Sequence, residues 1–266
     1  MKGVMLVTGA GSGIGKAIAQ TLVSKGYEVY GAARTEGKDW PSDVYRIPMD
    51  VTKEESVRNG ITLIQSRSGK LNGVVNAAGL GMLGAIEDSS PNEVRDLFET
   101  NLLGVHHVCR NALPLLRATK QSCIINITSM AAQMGLPYRG VYCASKFAVE
   151  GYTESLSLEL AHEGMRVVIV EPGDVSTAIN VNRKIVSQIS ERNKRIHESI
   201  HRQINDEVVK GLDPNEIATA VWRIVENPKP RLRYRVASAK AKYAYYLMRI
   251  LPDRWFETIV RRHYNA

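Results

Sequence analysis

The stretch Val4-Met5-Leu6-Val7-Thr8-Gly9-Ala10-Gly11-Ser12-Gly13-Ile14-Gly15-Lys16-Ala17-Ile18-Ala19-Gln20 decides the fold. Val4–Val7 reads as a buried strand, and the chain from Lys16 onward reads at helical period. Between them, glycines let the chain reverse tightly and let a pyrophosphate approach backbone amides. The N-terminus of the following helix favours that negative charge. Such a motif is weak alone and stronger where, as here, it joins a strand to a helix at the head of an alternating chain. The sixth position counted from Gly9 is Ile14, so the spacing is not G-x-G-x-x-G but T-G-x-x-x-G-x-G, carried by Gly9, Gly13 and Gly15.

Working outward, strand-like apolar runs recur at 28–33, 44–47, 73–75, 123–127 and 167–170, separated by helical patterns at 16–25, 91–116 and 142–162. Ser90-Pro91-Asn92-Glu93 and Asp213-Pro214-Asn215-Glu216 are helix starts with a cap, a proline at the first position and an acid at the third. Short apolar strands alternating with helices predict right-handed βαβ units. The expected fold is α/β, a single doubly wound parallel sheet of Rossmann type with helices on both faces. Arg231–Val236 alternates charged and apolar residues and reads as a final, more exposed strand. The expected division is a dinucleotide-binding and catalytic domain over 1–236 and a basic amphipathic extension over 237–266.

The 266 residues are 44% hydrophobic and 23% charged, which excludes disorder, and the net charge is +8. From Lys229 onward there are ten basic residues against Asp253 and Glu257, leaving 25 of each sign in residues 1–228. The excess charge therefore belongs to the tail. Cys109, Cys123 and Cys143 form neither pairs nor ligand spacings, which predicts reduced thiols, a cytoplasmic setting and no structural metal. Neither a secretory signal nor a bilayer-spanning run is expected from the N-terminus or the uncharged stretches.

Tyr142 and Lys146 stand four apart in a helical pattern and project from one face. An ammonium beside a phenol favours phenolate, which brings the phenol towards acid–base work. Ser129 follows the strand 123–127, thirteen residues before Tyr142. Asn101, a poor helix former, sits inside a long helical segment. Asn76-Ala77-Ala78-Gly79 and Pro172-Gly173, with Thr177 beyond, fall at strand carboxyl ends, where open α/β sheets bind ligands. After the second strand, where a carboxylate would accept from the ribose of NAD, the chain offers Ala33 and Arg34, with Lys38 further on and Glu36 opposing. A guanidinium pairs with a 2′-phosphate, so NADP(H) is expected over NAD(H).

In motif order and separation the chain resembles the short-chain dehydrogenase/reductase family across residues 1 to about 228. The resemblance implies hydride transfer between NADP(H) and a ketone or secondary alcohol. Tyr142 would be the general acid or base. Lys146 would assist the phenol and hold the nicotinamide ribose. Ser129 would bond the substrate oxygen, and Asn101 would hold a water of a proton relay. It further implies cofactor contacts at Gly9, Ser12, Gly13, Ile14, Gly15, Arg34, Asp50, Val51, Asn76, Ala77, Gly79, Pro172, Gly173 and Thr177, beside Tyr142 and Lys146. A homo-oligomer, paired through the helices carrying Asn101 and Tyr142, is also implied.

Two loops border the expected reacting carbon, Leu80–Ile86 and Met130–Pro137. Both are uncharged and rich in Met and Leu. They suit a hydrophobic ligand such as a steroid, retinoid or lipid ketone, though the same residues also suit a core. Ile179, Val181, Ile185, Val186 and Ile189 lie in a lid-like segment and serve core or pocket equally well. In the tail, Tyr243, Tyr246, Leu247, Ile250 and Leu251 form one apolar stripe, and Trp255, Phe256, Ile259 and Val260 a second cluster. Flanked by basic residues, these fit either packing on the body or a partner subunit, or contact with an anionic membrane. Nucleic acid is not expected, since no binding motif accompanies the charge. Two further function readings remain open, a 3-oxoacyl thioester reductase and a non-catalytic NADP(H)-binding or membrane-surface protein.

Overall fold

Seven strands pair in parallel in the order β3-β2-β1-β4-β6-β7-β9 in this computed structural model, which describes residues 2–35, 40–177 and 183–264. They are β1 (Val4–Thr8), β2 (Glu28–Ala33), β3 (Tyr45–Pro48), β4 (Gly73–Asn76), β6 (Cys123–Ile127), β7 (Arg166–Pro172) and β9 (Arg233–Val236). Successive strand residues face opposite sides. Val4 and Leu6 enter one core with α2 (Glu54–Ser68), α4 (Gly104–Arg117) and α5 (Gly140–Leu160). Met5 and Val7 enter the other with α1 (Gly13–Ser24) and α7 (Pro214–Glu226). Burial on both faces is why these strands read as unbroken apolar runs rather than alternating ones.

The segment expected as one helix over 91–116 is two helices joined by a wider turn. Helix α3 (Pro91–Phe98) passes through a π-helical turn at Glu99–Leu103 before α4. A five-residue repeat leaves no trace in the spacing of apolar residues, so periodicity reads straight through it. The strand expected at 44–47 is shifted to Tyr45–Pro48, and Val44 packs into the α1 core instead. Two short strands not anticipated, β5 (Met82–Leu83) and β8 (Lys184–Ile185), pair in parallel outside the main sheet.

The final strand, β9, is more exposed than the inner strands, as expected, and its charges are paired. Arg233 pairs with Glu150, Glu154 and Glu171, and Arg235 pairs with Glu171 at 2.7 Å. Glu171 is fully buried. Helix α8 (Ala239–Ile250) docks by Tyr245, Ala241 and Met248 onto Met130 and Ala237. Arg235 lies 3.8 Å from the Tyr245 ring centre. Helix α9 (Asp253–Tyr264) seats Tyr264 and Val260 beside Leu83 and the Ile200 and Ile204 face of α6 (Glu191–Val209). The stripe picked out by spacing is thus not the docked one, since Tyr243, Tyr246 and Ile250 stay exposed.

The start of α3 is a capping box that also fastens the β8 segment. Ser90 N and Oγ donate to Glu93 Oε2 at 2.8 and 2.7 Å, and Ser187 N donates to Glu93 Oε1 at 2.7 Å. The Ser90 hydroxyl first, with these amides, holds the Glu93 carboxyl down at about 2, against an ordinary 4.5. A depressed carboxyl contributes stability that is present above about pH 4.5 and lost as pH falls towards 2. Urea midpoints measured across that window should therefore fall less steeply in Glu93→Gln than in the wild type. Identical slopes would remove Glu93 from the account.

Candidate active site

The carboxyl ends of the parallel strands share one edge, and β1 lies between β2 and β4, where the strand order reverses. That crevice is where open α/β sheets hold ligands. Gly9 and Gly13 adopt left-handed backbone, with φ of 69° and 51°. A methyl at Gly15 would lie 2.3 Å from the Gly9 carbonyl oxygen, so the first helix crosses the turn in contact with it. Ser12 precedes α1 without a side-chain cap, which leaves first-turn amides for another acceptor. Thr8 Oγ1 accepts from Ala77 N and Ala78 N, both at 3.1 Å, and so ties the end of β4 to the turn. Thr177 lies against Gly13. These features fit a bound pyrophosphate, because open amides and side-chain-free backbone are what its approach requires.

The remaining edge positions are distributed around this turn. Arg34 is exposed just past β2; Lys38 and Glu36 lie outside the described residues. Asp50 follows β3 and accepts from Thr52 N and Oγ1, while the Val51 carbonyl bonds His107 Nδ1 at 2.9 Å. The Asn76 side chain turns into the interior, donating to Asn126 Oδ1 at 2.8 Å and to Cys109 Sγ. Pro172 ends β7, and Gly173 N donates to the Val236 carbonyl at 3.0 Å.

Helix α5 carries Tyr142 and Lys146, both buried. Its register on β6 is set by three buried polar contacts at helical spacing. Lys146 Nζ donates to the Ile127 carbonyl at 3.2 Å, Glu150 Oε1 accepts from Thr128 Oγ1 at 2.6 Å, and Thr153 Oγ1 accepts from Asn126 Nδ2 at 2.9 Å. Asn101, in the π turn, exchanges two hydrogen bonds with the Leu80 backbone and donates to Ser145 Oγ at 3.0 Å. A methyl at Gly79 would lie 3.3 Å from Asn101 Oδ1 and 3.4 Å from Lys146 Nζ, so these three meet around one gap. Ser129 caps the short turn Met130–Ala132 by accepting from Ala131 N at 3.1 Å, and its own proton remains to donate.

Around Tyr142 the wall is apolar. Met82, Leu97 and Val186 share its cluster, with Leu80, Leu136 and Ile189 packed against it. Of the expected lid residues, Val186 and Ile189 join this cluster and Ile185 is exposed; Ile179 and Val181 lie outside the described residues. Leu83 turns to α6 and Met130 to α8, so those two are core rather than wall. Sequence reasoning missed Arg139, whose guanidinium carbon is 5.1 Å from the Tyr142 ring centre. Arg139 is the cap residue of α5, three positions ahead of Tyr142.

Residues 3–186 match the family profile described as short chain dehydrogenase, most of the chain. The chain belongs to the short-chain dehydrogenase/reductase family. This short-chain dehydrogenase is 38% identical to a 3-ketodihydrosphingosine reductase of Bacteroides thetaiotaomicron, over 88% of this chain and 87% of that one. It is 32% identical to an NADPH-dependent 3-dehydrocapnine reductase of Ornithobacterium rhinotracheale, over 96% and 94%. A Burkholderia phymatum short-chain dehydrogenase/reductase solved with NAD superposes with TM-score 0.81 at 25% identity, over 93% and 94%. The short-chain dehydrogenase is an oxidoreductase acting on CH–OH groups, with a nucleotide-binding fold. Among its described residues no helix is long and apolar enough to cross a membrane.

Proposed function

We propose that this enzyme reduces the ketone of an apolar, lipid-like substrate to a secondary alcohol with NADPH, Tyr142 giving the proton. The observation that carries the reading is the meeting of Lys146, Asn101 and Gly79 around one gap, with Tyr142 one helical turn ahead of Lys146. A nicotinamide dinucleotide bound at this edge supplies the hydride that goes to the carbonyl carbon. The Tyr142 O–H gives its proton to the carbonyl oxygen as the C–H bond forms. Ser129 Oγ, already accepting from Ala131 N, directs its proton to the same oxygen and orients it. Lys146, anchored by the Ile127 carbonyl, turns its other donors towards the gap beside Gly79. The Asn101 side chain is engaged by Leu80 and Ser145, so Asn101 serves a proton relay through its main chain, which the π turn takes out of regular α-helical bonding.

The apolar wall at Tyr142 supports a hydrophobic substrate, and the two relatives named as reductases of keto or dehydro compounds support the reductive direction. Support for NADPH comes from Arg34 at the end of β2 and from the relative named as NADPH-dependent. The neighbour solved with NAD argues for testing it directly. A homo-oligomer paired through α4 and α5 is supported by Phe147 and Leu158, exposed on α5.

A peripheral position on an anionic bilayer, on the cytoplasmic side, belongs to the same proposal. Helices α8 and α9 leave Tyr243, Tyr246, Ile250, Trp255 and Ile259 exposed, with Lys242, Arg249, Arg254, Arg261 and Arg262 among them. Interfacial aromatics beside basic residues suit acyl boundary and anionic headgroups together.

In an assay of NADPH consumption over steroid, retinoid and long-chain ketones, a bulky apolar ketone should be turned over. Tyr142→Phe should lose roughly 10²–10⁴-fold in rate, the usual worth of a positioned acid. Turnover confined to 3-oxoacyl thioesters would replace the lipid ketone, and NADPH binding without turnover would favour a sensor. Arg34→Ala should raise the Kd for NADPH while leaving that for NADH nearly unchanged; equal losses would sink the 2′-phosphate assignment. Wild-type protein should sediment with phosphatidylserine vesicles and not with phosphatidylcholine ones. The pair Trp255→Glu and Ile259→Glu should abolish this, and indifference to either change would rule the bilayer out.

A further inference from the structure

Ser129 stands in extended backbone between two fastened neighbours. Before it, Thr128 N donates to the Val170 carbonyl at 2.8 Å, and Thr128 Oγ1 donates to Glu150 Oε1 at 2.6 Å. After it comes one short turn, Met130–Ala132. The Ala131 and Ala132 amides donate back to Ser129 Oγ and to the Ser129 carbonyl, at 3.1 and 2.9 Å. A turn this short has no hydrogen-bonded ladder to hold its far end. Gln133 closes it, donating from its backbone N to the Met130 carbonyl at 3.1 Å and from Nε2 to Glu171 Oε1 at 2.9 Å. An ionised carboxylate only accepts, so the Gln133 amide must present its nitrogen there.

The two carboxylates that hold these flanks meet at one guanidinium. Arg233, on β9, sets Nη2 2.6 Å from Glu150 Oε2 and Nε 2.6 Å from Glu171 Oε1. Thr128, Glu150, Arg233, Glu171 and Gln133 therefore form a closed circuit of polar contacts around the Ser129 turn. Both glutamates are buried. Losing a partner would leave a charge uncompensated in the interior, so the circuit resists opening. A planar guanidinium holds two carboxylates at fixed angles, which an ammonium on a flexible stem does not. Glu150 lies on α5, eight residues beyond Tyr142, so the same arginine sets the Ser129 turn against the helix that carries the tyrosine.

We propose that Gln133 and Arg233 are positioning residues for Ser129, fixing through Glu171 and Glu150 where its hydroxyl meets the substrate oxygen relative to Tyr142. The proposal rests on the ketone-reductase reading, in which Ser129 orients that oxygen. It also gives the last strand a part in the reaction, because Arg233 touches neither substrate nor cofactor and acts through the serine.

Gln133→Leu keeps the side-chain bulk, removes the donor and leaves Arg233 and Arg235 on Glu171. With a ketone that the wild type reduces, it should lower kcat about tenfold while KM and the Kd for NADPH stay within about twofold, the mark of a misplaced reacting group. In a Ser129→Ala background the same substitution should change kcat by less than about twofold, since the group it positions is gone. Arg233→Lys should repeat the pattern. Without turnover, amide exchange at Ala131 and Ala132 should quicken about tenfold in Gln133→Leu, with the α5 amides unchanged. Equal kcat losses with and without Ser129 would make Gln133 a general support and overturn the proposal, as would unchanged exchange at both amides. If Arg233→Lys does not fold, Gln133→Leu decides, because it removes no charge. A Ser129→Ala variant with full kcat would overturn the reading of Ser129 and the proposal with it. Quickened exchange in a protein that reduces no ketone would overturn the reductase reading and keep the fastening of the turn.

Discussion

Lys146, Glu150 and Thr153 stand at i, i+4 and i+7 on α5, and they reach Ile127, Thr128 and Asn126, the end of β6 and the residue after it. All three are buried polar groups, so each must find its partner or leave a costly unmet bond in the interior. A slide of α5 by one residue along the sheet would break all three at once. Apolar packing alone would tolerate such a slide more readily, because it is non-directional. The place of Tyr142 above the strand ends follows from this register. So does the meeting of Lys146 with Gly79, since the Asn76 side chain at the end of β4 continues the same network through Asn126.

The strands and the glycine turn were legible because both depend on local chemistry. Four or five buried residues in a row and glycines at fixed separations carry their reason within a few positions. The capping boxes at Ser90 and Asp213 were legible on the same ground and formed as expected. The π turn was not, because its cause is distant. Asn101 turns inward to hold Leu80 and Ser145, and Gly104 lies so close to Val51 that a methyl would come within 2.8 Å of Val51 Cγ2. Neither contact has a signature in residues 91–116 taken alone. The anomaly that was visible, an asparagine inside a helical segment, was its correct trace.

Charge misled where pairing was long-range. Arg231–Val236 read as a more exposed strand, which β9 is, but the spacing did not show that Arg233 and Arg235 both turn to Glu171, and Arg233 also to Glu150 and Glu154. Counting charge along a sequence locates an excess but not its partners, and these glutamates lie on β7 and α5, some 60 to 85 residues earlier. Which face of α8 docks was hidden for the same reason. Tyr243, Tyr246 and Leu247 satisfy helical spacing, but Arg235 stacks on Tyr245, and Met130 and Ala237 offer their surface to that face. Tyr243 and Tyr246 are left exposed as a consequence, and Leu247 half-buried.

Helices α8 and α9 meet the candidate site by two routes. Through Arg235 and Glu171, α8 meets the strand that ends in Pro172 and leads to Gly173, and Gln133 donates to the same glutamate at 2.9 Å from just beyond Ser129. Through Tyr264, α9 joins the cluster against which Leu136 packs, and Leu136 also packs against the cluster around Tyr142. Movement of either helix would be felt at a loop bordering the candidate site, by charge in one case and by apolar packing in the other. The order of α8 and α9 and that of the loops beside Ser129 and Tyr142 are therefore coupled through Glu171 and Leu136.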